Sequence, residues 1–242
     1  MTELENEKES TSEPSPRVLI IFFSFSGQTA RLLNQIVVGI KEQGVKVVLE
    51  KLRPQEPLRF PLGGVLPALF MMLTTFLGFR IPIKELSANC NEDFDLIILA
   101  GPTWSYNPSG PVLSLLDRAG KKLFNGKLVL PVISCRGYWR LHWYKLRKKL
   151  LQCGAVVPNI VAFTHPVKEP WSSVGVFLKI AGKSPEKSKL IGRYYRRYGH
   201  SKDQLDEAWR FGMQIGEAIV RKRSLADLDF QTPLSLLQRQ NL

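Results

Sequence analysis

A short polar loop after the first apolar segment carries the clearest chemical signal in the sequence. Its polar side chains surround Gly27 and precede a segment of helical periodicity: Ser24, Ser26, Gln28 and Thr29. Exposed backbone N–H groups, the positive end of a helix dipole and several hydroxyls can together hold a phosphate without a lysine. Neither the Walker pattern nor G-x-G-x-x-G is present. The alternative is a capped strand-to-helix turn, but such a turn needs only one or two of these residues.

Two further loops follow apolar segments and carry groups suited to a flat ring. Residues 101–108 (GPTWSYNP) contain Trp104 and Tyr106, which can flank an aromatic ligand or, alternatively, cap the core. Residues 134–139 (SCRGYW) can offer backbone groups to a ring edge, and Arg136 can reach a phosphate or an anionic ring. We interpret Cys135 as a packing residue rather than a nucleophile, because no histidine or acid partner is near it in the sequence.

Other kinds of site find little support. The chain has three cysteines without a C-x-x-C pair and three histidines without H-E-x-x-H spacing, so we expect no metal. The nucleophile elbow G-x-S-x-G of hydrolases is also missing. We therefore assign no catalytic side chain.

The elements that must position these loops alternate along the chain. Residues 18–23, 45–49, 94–100, 128–133 and 156–163 are apolar runs typical of strands buried on both faces. Helical periodicity lies between them and again at 205–219. This alternation predicts an α/β fold: a doubly wound, five-stranded parallel sheet of order 2-1-3-4-5 with helices on both faces. The three loops would then meet at the carboxyl edge of the sheet.

Two segments exceed this minimal plan. Residues 60–79 are twenty residues without a charge, interrupted by prolines and glycines, and residues 164–200 form a long basic stretch. We reject a membrane span for the first segment, because crossing would separate the third strand from the first two. It can be a buried helix, a dimer surface, a lid over an apolar acceptor such as a quinone, or an interfacial membrane anchor.

The charge distribution is uneven. The net charge is +13, and residues 136–197 hold fourteen Lys or Arg against two Glu, which favours anionic partners. Residues 1–16 are acidic and polar with no signal peptide, and we expect them to be a disordered tail. The cysteine content favours a cytoplasmic protein, with peripheral contact at the inner face of an anionic membrane as an option.

The first two loops resemble those of flavodoxin-like FMN-binding proteins. Residues 22–29 are similar to the family's phosphate loop, and residues 94–117 to its third strand, flavin loop and following helix. The basic charge and the two extra segments resemble the flavodoxin-fold NAD(P)H-dependent oxidoreductases more than electron-shuttle flavodoxins. A weaker similarity, carried by the proline-rich apolar insert that ends at residues 80–84, is to flavodoxin-like proteins labelled dialkylresorcinol-condensing enzymes.

The resemblance implies a set of cofactor-binding residues. The phosphate of FMN would be held by Ser24, Ser26, Gly27, Gln28, Thr29 and Ala30. The isoalloxazine would be lined by Pro102, Thr103, Trp104, Ser105, Tyr106 and Asn107, with Cys135, Arg136, Gly137 and Tyr138 on the third side. Residues 17–242 would form one flavodoxin-like domain with an apolar insert at 60–83 and a basic extension at 164–200.

The function expected on these grounds is an FMN-dependent oxidoreductase that accepts hydride from NAD(P)H and reduces a quinone or another small apolar acceptor. Arg136, Arg140 and the cluster at 193–197 could select a nicotinamide phosphate. The alternatives are an electron-transfer module for an acidic protein partner and a flavin-free flavodoxin-fold binding scaffold. A homodimer is an option, and nucleic-acid binding has little support because no recognised module is present.

Overall fold

The computed structural model describes residues 15–167, 170–195 and 198–230. Most of the acidic tail, part of the basic stretch (168, 169, 196 and 197) and the last twelve residues therefore lie outside the described residues. The strands are β1 (Arg17–Phe22), β2 (Lys46–Lys51), β3 (Leu96–Trp104), β4 (Asn107–Pro108), β5 (Val129–Cys135) and β6 (Val161–Thr164). The α-helices are α1 (Gln28–Glu42), α2 (Val65–Phe76), α3 (Gly110–Phe124), α4 (Trp139–Gln152), α5 (Trp171–Ile180) and α6 (Lys202–Val220).

Five strands form a parallel sheet in the order β2-β1-β3-β5-β6, and β4 pairs with β3 alone. In chain order, the five parallel strands have the predicted arrangement 2-1-3-4-5. The flavodoxin-like, doubly wound fold is therefore confirmed. The carboxyl ends of β1, β3 and β5 lie side by side, with Phe22 opposite Ala100 and Pro102 opposite Ser134.

Alternation along the central strands divides the core into two layers. Val18 and Ile20 pack on the side of α1 and α6, whereas Leu19 and Ile21 pack on the side of α3 and α4. Helices α1 and α6 approach closely because small residues face each other. A Cβ added to Gly212 would collide with the backbone of Ile36.

The segment 101–108, predicted as a loop, is instead a β-hairpin. β3 continues to Trp104, and Thr103 and Trp104 pair antiparallel with Pro108 and Asn107. Ser105 and Tyr106 form the two-residue turn with φ values of 44° and 69°. Positive φ at both central residues matches the right-handed twist of the two strands, which is why a hairpin forms here.

The fifth parallel strand begins later than predicted. Val156 makes only an isolated bridge with Leu128, and regular pairing starts at Val161. Pro158 lies between them, and a proline cannot donate a ladder hydrogen bond. The predicted strand at 156–163 is therefore wrong in its first half.

Each of the two extra segments contributes a helix. The apolar insert forms α2, and the apolar patch of the basic stretch forms α5. The two segments also join each other, since the backbone N–H of Leu62 donates to the carbonyl of Ile180 at 2.7 Å. Both lie on the same side of the molecule as the ends of β1, β3 and β5.

Candidate functional site

The loop after β1 ends at Gly27, where the backbone adopts a φ of 82° and α1 begins. The first turn of any helix leaves backbone N–H groups without intrahelical partners, and here Ser24 Oγ accepts from the N–H of Ala30 at 3.2 Å. A Cβ added to Gly27 would meet no atom within 4 Å, so the space beside this glycine is open. Open space beside free N–H groups at a helix N-terminus is an arrangement that can hold an anion.

A cleft opens next to this loop at the carboxyl edge of the sheet. Its empty space is about 950 Å³, including the open solvent at its mouth. Nine of the predicted cofactor residues line it: Ser26, Gln28, Thr29, Pro102, Thr103, Trp104, Ser105, Cys135 and Arg136. Sequence elements far apart in the chain therefore meet in one concave site.

The floor of the cleft consists of neutral polar groups. Thr103 Oγ1 lies 2.7 Å from His142 Nδ1, and Ser134 Oγ lies 2.9 Å from His200 Nε2. Burial lowers the pKa of His142 to about 3 and that of His200 to about 4, so both rings are uncharged at neutral pH. The same desolvation raises the pKa of the Cys135 thiol to about 12, so the thiol is protonated at neutral pH.

The aromatic residues of the hairpin occupy different places. Trp104 is buried and packs edge-on against Phe23 and Phe25, each with a ring-centroid distance of 5.5 Å. Tyr106 lies outside the main cleft and contacts Tyr138 at 5.3 Å. These two tyrosines border a small adjoining cavity together with Thr103 and Arg136. In this structure the two aromatics do not form facing walls of one slot.

Asn107 supports the cleft without lining it. Its side-chain amide donates to the carbonyl oxygens of Thr75 and Phe76 at the end of α2, at 2.8 and 2.9 Å. Lys145 Nζ donates to the other side of the same amide, at 2.6 Å from Oδ1. Ser105 Oγ lies 2.8 Å from Thr75 Oγ1. The hairpin therefore fastens α2 beside the cleft.

The walls of the cleft include residues that sequence reasoning did not assign. They come from the loop after β1, the insert, the end of β5 and the basic extension: Phe25, Phe60, Ala68, Met71, Met72, Thr75, Ser134, His165, Val176, Phe177, Ile180, Tyr198, Gly199 and His200. The signal that could have found most of them was the departure of the two extra segments from the minimal fold. Their pairing with each other depends on contacts between residues more than a hundred positions apart.

The segment before α6 closes over the phosphate loop. The Tyr198 hydroxyl is hydrogen-bonded to Ser26, and its ring stacks on Phe60 at 6.4 Å. The backbone N–H of His200 donates to Gln28 Oε1 at 3.3 Å. A Cβ on Gly199 would collide with the side chain of Gln28, so this contact requires glycine.

The sequence pattern of the family described as "NADPH-dependent FMN reductase" matches residues 16–167, more than half of the chain. The chain belongs to this family. It is an FMN-dependent oxidoreductase, and its cofactors are FMN and NAD(P)H. The resemblance inferred from the phosphate loop and the hairpin is thereby confirmed.

Solved flavoproteins are similar to this chain at low sequence identity. A flavoprotein in complex with FMN from Lactobacillus acidophilus NCFM is 20% identical, with 61% of this chain and 93% of that chain covered and a TM-score of 0.49. A flavodoxin from the domain Archaea is 14% identical, with coverages of 84% and 99% and a TM-score of 0.48. Flavodoxin 1 from Bacillus cereus is 17% identical, with coverages of 86% and 99% and a TM-score of 0.45. Among curated protein sequences, none matches significantly.

The residues present fit an FMN phosphate at the start of α1. The fit rests on the open space beside Gly27 and on the hydroxyls of Ser24, Ser26 and Thr29 at the helix N-terminus. Among the remaining predicted residues, Gly137 lies beside the site, where its backbone is hydrogen-bonded to the Cys135 thiol. Arg193 of the predicted nicotinamide cluster is exposed, and Arg196 and Arg197 lie outside the described residues.

The described part of the chain lacks both a cluster of metal ligands and a helix that could cross a bilayer. No group of three or more His, Cys, Asp or Glu residues within 15–167, 170–195 and 198–230 could hold a metal ion. Within the same ranges, every helix is too short or too polar to cross a bilayer.

Proposed function

We propose that the cleft binds FMN and that the protein uses NAD(P)H to reduce a small apolar acceptor of the quinone class. The observation that carries this proposal is the position of the cleft. It joins a phosphate-type loop to an apolar chamber at the carboxyl edge of the sheet. We infer the class of reaction from the family membership and the class of acceptor from the apolar lining of the cleft.

The proposed binding residues divide by the part of FMN that they contact. The phosphate is held by Ser24, Ser26, Gly27, Gln28, Thr29 and Ala30. The ring is held by Pro102, Thr103, Trp104 and Ser105 on one side and by Cys135 and Arg136 on another. Tyr106, Asn107, Gly137 and Tyr138 surround these residues, and their direct contact with the cofactor stays a prediction.

Bound FMN supplies hydride acceptance and donation, so the protein needs no nucleophile of its own. The side chains orient the ligands and exclude water. Neutral His142 and His200 fix the hydroxyls of Thr103 and Ser134, which are the polar groups at the cleft floor. Because both histidines are buried and uncharged, they hold these hydroxyls without placing a cation beneath the ring.

The apolar acceptor is inferred from the walls that α2 and α5 contribute. Met71 and Met72 face the cleft from α2, and Val176, Phe177 and Ile180 face it from α5. Thioether side chains are flexible and adapt to flat rings of different shape. A chamber of this kind favours a planar apolar molecule over a charged one.

The domain organisation is part of the proposal. We place a single flavodoxin-like domain from residue 17 onward, with the insert at 60–83 and the extension at 164–200 as its two additions. Contacts between Leu62 and Ile180 and between Phe60 and Tyr198 join the additions over one cleft. Because the two additions line the same cleft, we interpret them as parts of one site and not as separate modules.

The first experiment is the visible spectrum of the purified protein, followed by mass identification of the released chromophore. Flavin absorption bands and released FMN, then bleaching by NADPH and reoxidation by a short-chain quinone, are the expected results. A colourless protein that does not bind added FMN would contradict the proposal. FMN-loaded protein that NADPH and NADH fail to reduce would favour an electron-transfer module instead.

A further inference from the structure

Helix α2 is apolar on two opposite faces. One face lines the cleft through Ala68, Met71, Met72 and Thr75. The opposite face, here called the outer α2 face, is exposed to solvent and consists of Leu66, Leu69, Phe70, Leu73, Phe76 and Leu77. Leu66 is 79% exposed and Phe70 is 69% exposed. Because a water-facing helix normally carries polar side chains on its outer face, this surface indicates contact with another apolar phase.

The charges that flank the insert in the sequence are mixed. Residues 56–85 contain Arg59, Arg80 and Lys84 together with Glu56 and Glu85 at the two ends. Arg59, Lys84 and both acids are exposed, whereas Arg80 is paired with Asp117 at 2.7 Å. A net positive charge beside the outer α2 face therefore depends on the basic extension.

The basic extension supplies this charge. Residues 170–195 hold five cations and one acid, Glu186, which is paired with Lys179. The end of α5 packs against the start of the insert, where Gly182 lies next to Gly63. The exposed residue Lys183 follows directly, so its charge belongs to the same side of the molecule as α2.

The dimensions of α2 decide how it can meet a bilayer. Its 12 residues span about 18 Å at 1.5 Å per residue, well short of a hydrocarbon core about 30 Å thick. A helix with a wide apolar face and basic flanks instead lies in the plane of the membrane interface. Its flanking cations then meet anionic lipid headgroups.

We propose that the outer α2 face docks the protein on an anionic lipid bilayer. This inference deepens the proposed function and, for its consequence, rests on it. With its outer face in the lipid, α2 presents its inner face to the cleft, so an apolar acceptor dissolved in the bilayer reaches the site beside this helix. The docking itself requires only the exposed apolar surface and its cationic surround.

The charge distribution favours lipid over a second copy of the chain. A two-fold dimer through the outer α2 face would bring together two copies of a chain whose net charge is +13. Like charges brought together at an interface oppose association. An anionic surface satisfies the apolar face and the cations at the same time.

The test is flotation of the FMN-loaded protein with vesicles. We expect binding to vesicles of phosphatidylcholine with phosphatidylglycerol, weaker binding to phosphatidylcholine alone, and release by salt. Leu66→Ser/Phe70→Ser should lower the partition constant at least about tenfold, because burying either side chain in an apolar phase contributes that much or more. Arg59→Gln/Lys183→Gln should remove most of the preference for anionic lipid.

Matched controls lie at the opposite edge of the sheet. Leu151→Ser/Val156→Ser removes exposed apolar side chains there, and Lys46→Gln/Lys121→Gln removes exposed cations. Both controls should bind vesicles like the unmodified protein. Loss of flotation in the controls equal to that in the outer-face variants would overturn the proposal. Because all substituted side chains are exposed, unchanged thermal melting should accompany every variant.

Further outcomes separate this inference from the proposed function. An FMN-loaded protein that oxidises NADPH but floats with neither vesicle overturns the docking and leaves the function intact. A flavin-free protein that floats through the outer α2 face does the reverse. A dimer in solution that Leu66→Ser/Phe70→Ser converts to a monomer, without flotation, overturns docking in favour of a second copy.

Discussion

The side-chain amide of Asn107 donates to the backbone carbonyl of Thr75 at 2.8 Å. This contact joins the β3–β4 hairpin to the last turn of α2, where carbonyl groups have no intrahelical donors. Asn107 was predicted to line a flavin, but in this structure its amide is occupied by α2 on one side and by Lys145 on the other. The residue thus links the flavin-type hairpin to the insert that walls the cleft.

We expect Asn107→Ala to destabilise the protein and loosen α2. Loss of two buried hydrogen bonds, together with an unpaired Lys145, should lower the free energy of unfolding by about 1–3 kcal/mol. Urea unfolding measures this loss, and limited proteolysis measures accessibility within 65–76. Asn91→Ala is the matched control, since Asn91 is exposed and donates only to Ala88 in its own turn. Equal effects of the two substitutions would contradict the role given to Asn107.

Gly27→Ala should weaken FMN binding beyond its effect on stability. A left-handed φ costs an alanine about 1 kcal/mol, and the added Cβ enters the open space assigned to the phosphate. Gly44→Ala imposes similar strain, with a φ of 77° and an equally open environment, but lies at the far end of α1. Fluorescence titration with FMN should show reduced affinity for Gly27→Ala alone. Equal affinity in the two variants would remove Gly27 from the phosphate site.

A larger side chain inside the cleft should lower kcat/KM for large acceptors more than for small ones. Ala68 is buried on the inner face of α2, and its neighbour Leu69 is half-exposed on the outer face. Ala68→Phe should lower kcat/KM for a substituted quinone by about tenfold or more, since a few extra carbons in an apolar pocket discriminate at that level. Leu69→Phe should leave it unchanged. The readout is steady-state NADPH oxidation with quinones of increasing size, and Ala68→Val serves as a milder variant if Phe disturbs folding.

Among the described lysines and arginines, Arg136 lines the cleft, whereas Arg140 is exposed on the first turn of α4 with its guanidinium 5.2 Å from the Trp139 ring. Arg136→Ala distinguishes the flavin contact proposed for Arg136 from selection of the nicotinamide phosphate. Contact with the extra phosphate of NADPH predicts that KM for NADPH rises about tenfold while KM for NADH changes little. Arg140→Ala should affect neither. A parallel rise in both KM values would place Arg136 on the flavin or on a group common to both nucleotides.

The protein should lose stability in mild acid because His142 and His200 are buried in their neutral form. Their pKa values fall from 6.5 in the unfolded chain to about 3 and about 4 in the folded protein, so only the unfolded chain binds protons in this interval. The contribution of these two histidines to the free energy of unfolding is therefore fully present above pH 6.5, and it decreases as the pH falls below that value. The slope is at most about 1.4 kcal/mol per pH unit for each histidine, down to pH 4 for His200 and pH 3 for His142.

Urea midpoints measured from pH 7.5 to 4.5 test this dependence. His200→Gln should flatten the curve in that interval, because glutamine does not titrate and can still bond Ser134. His142→Gln should flatten it further when combined with His200→Gln. A double variant with the slope of the unmodified protein would assign the acid sensitivity to other groups.

The order of the five parallel strands could be predicted from the local pattern of apolar residues in the sequence. Strands such as β1 and β3 are buried on both faces, so they read as continuous apolar runs, and their alternation with amphipathic helices permits few topologies. The phosphate loop was equally visible because its residue types are adjacent in the chain. In these parts of the chain, the structure that neighbouring residues favour is the same as the structure found in the tertiary fold.

The two inserted segments show where local pattern was insufficient. Composition marked 60–79 as apolar, but it could not distinguish the inner face of α2 from the outer one, since the Ala and Met side chains of the inner face and the Leu and Phe side chains of the outer face are all apolar. The β6 boundary moved because Pro158 interrupts pairing that a run of apolar residues alone would allow. The hairpin at 101–108 depended on two positive-φ residues, Ser105 and Tyr106, whose types do not require that conformation.

Of the residues that line the cleft, some could be assigned from the sequence and others could not. Ser26, Thr103 and Arg136 could be assigned from the sequence because each follows a strand whose carboxyl end faces the site. Tyr198, His200 and Met71 could not, since their positions depend on helices that pack across more than a hundred residues of intervening chain. Sequence decided which strands meet and which loops they present, because those depend on neighbours in the chain. Only tertiary packing decided what covers the loops, because burial of α2 and α5 is a property of the assembled surface.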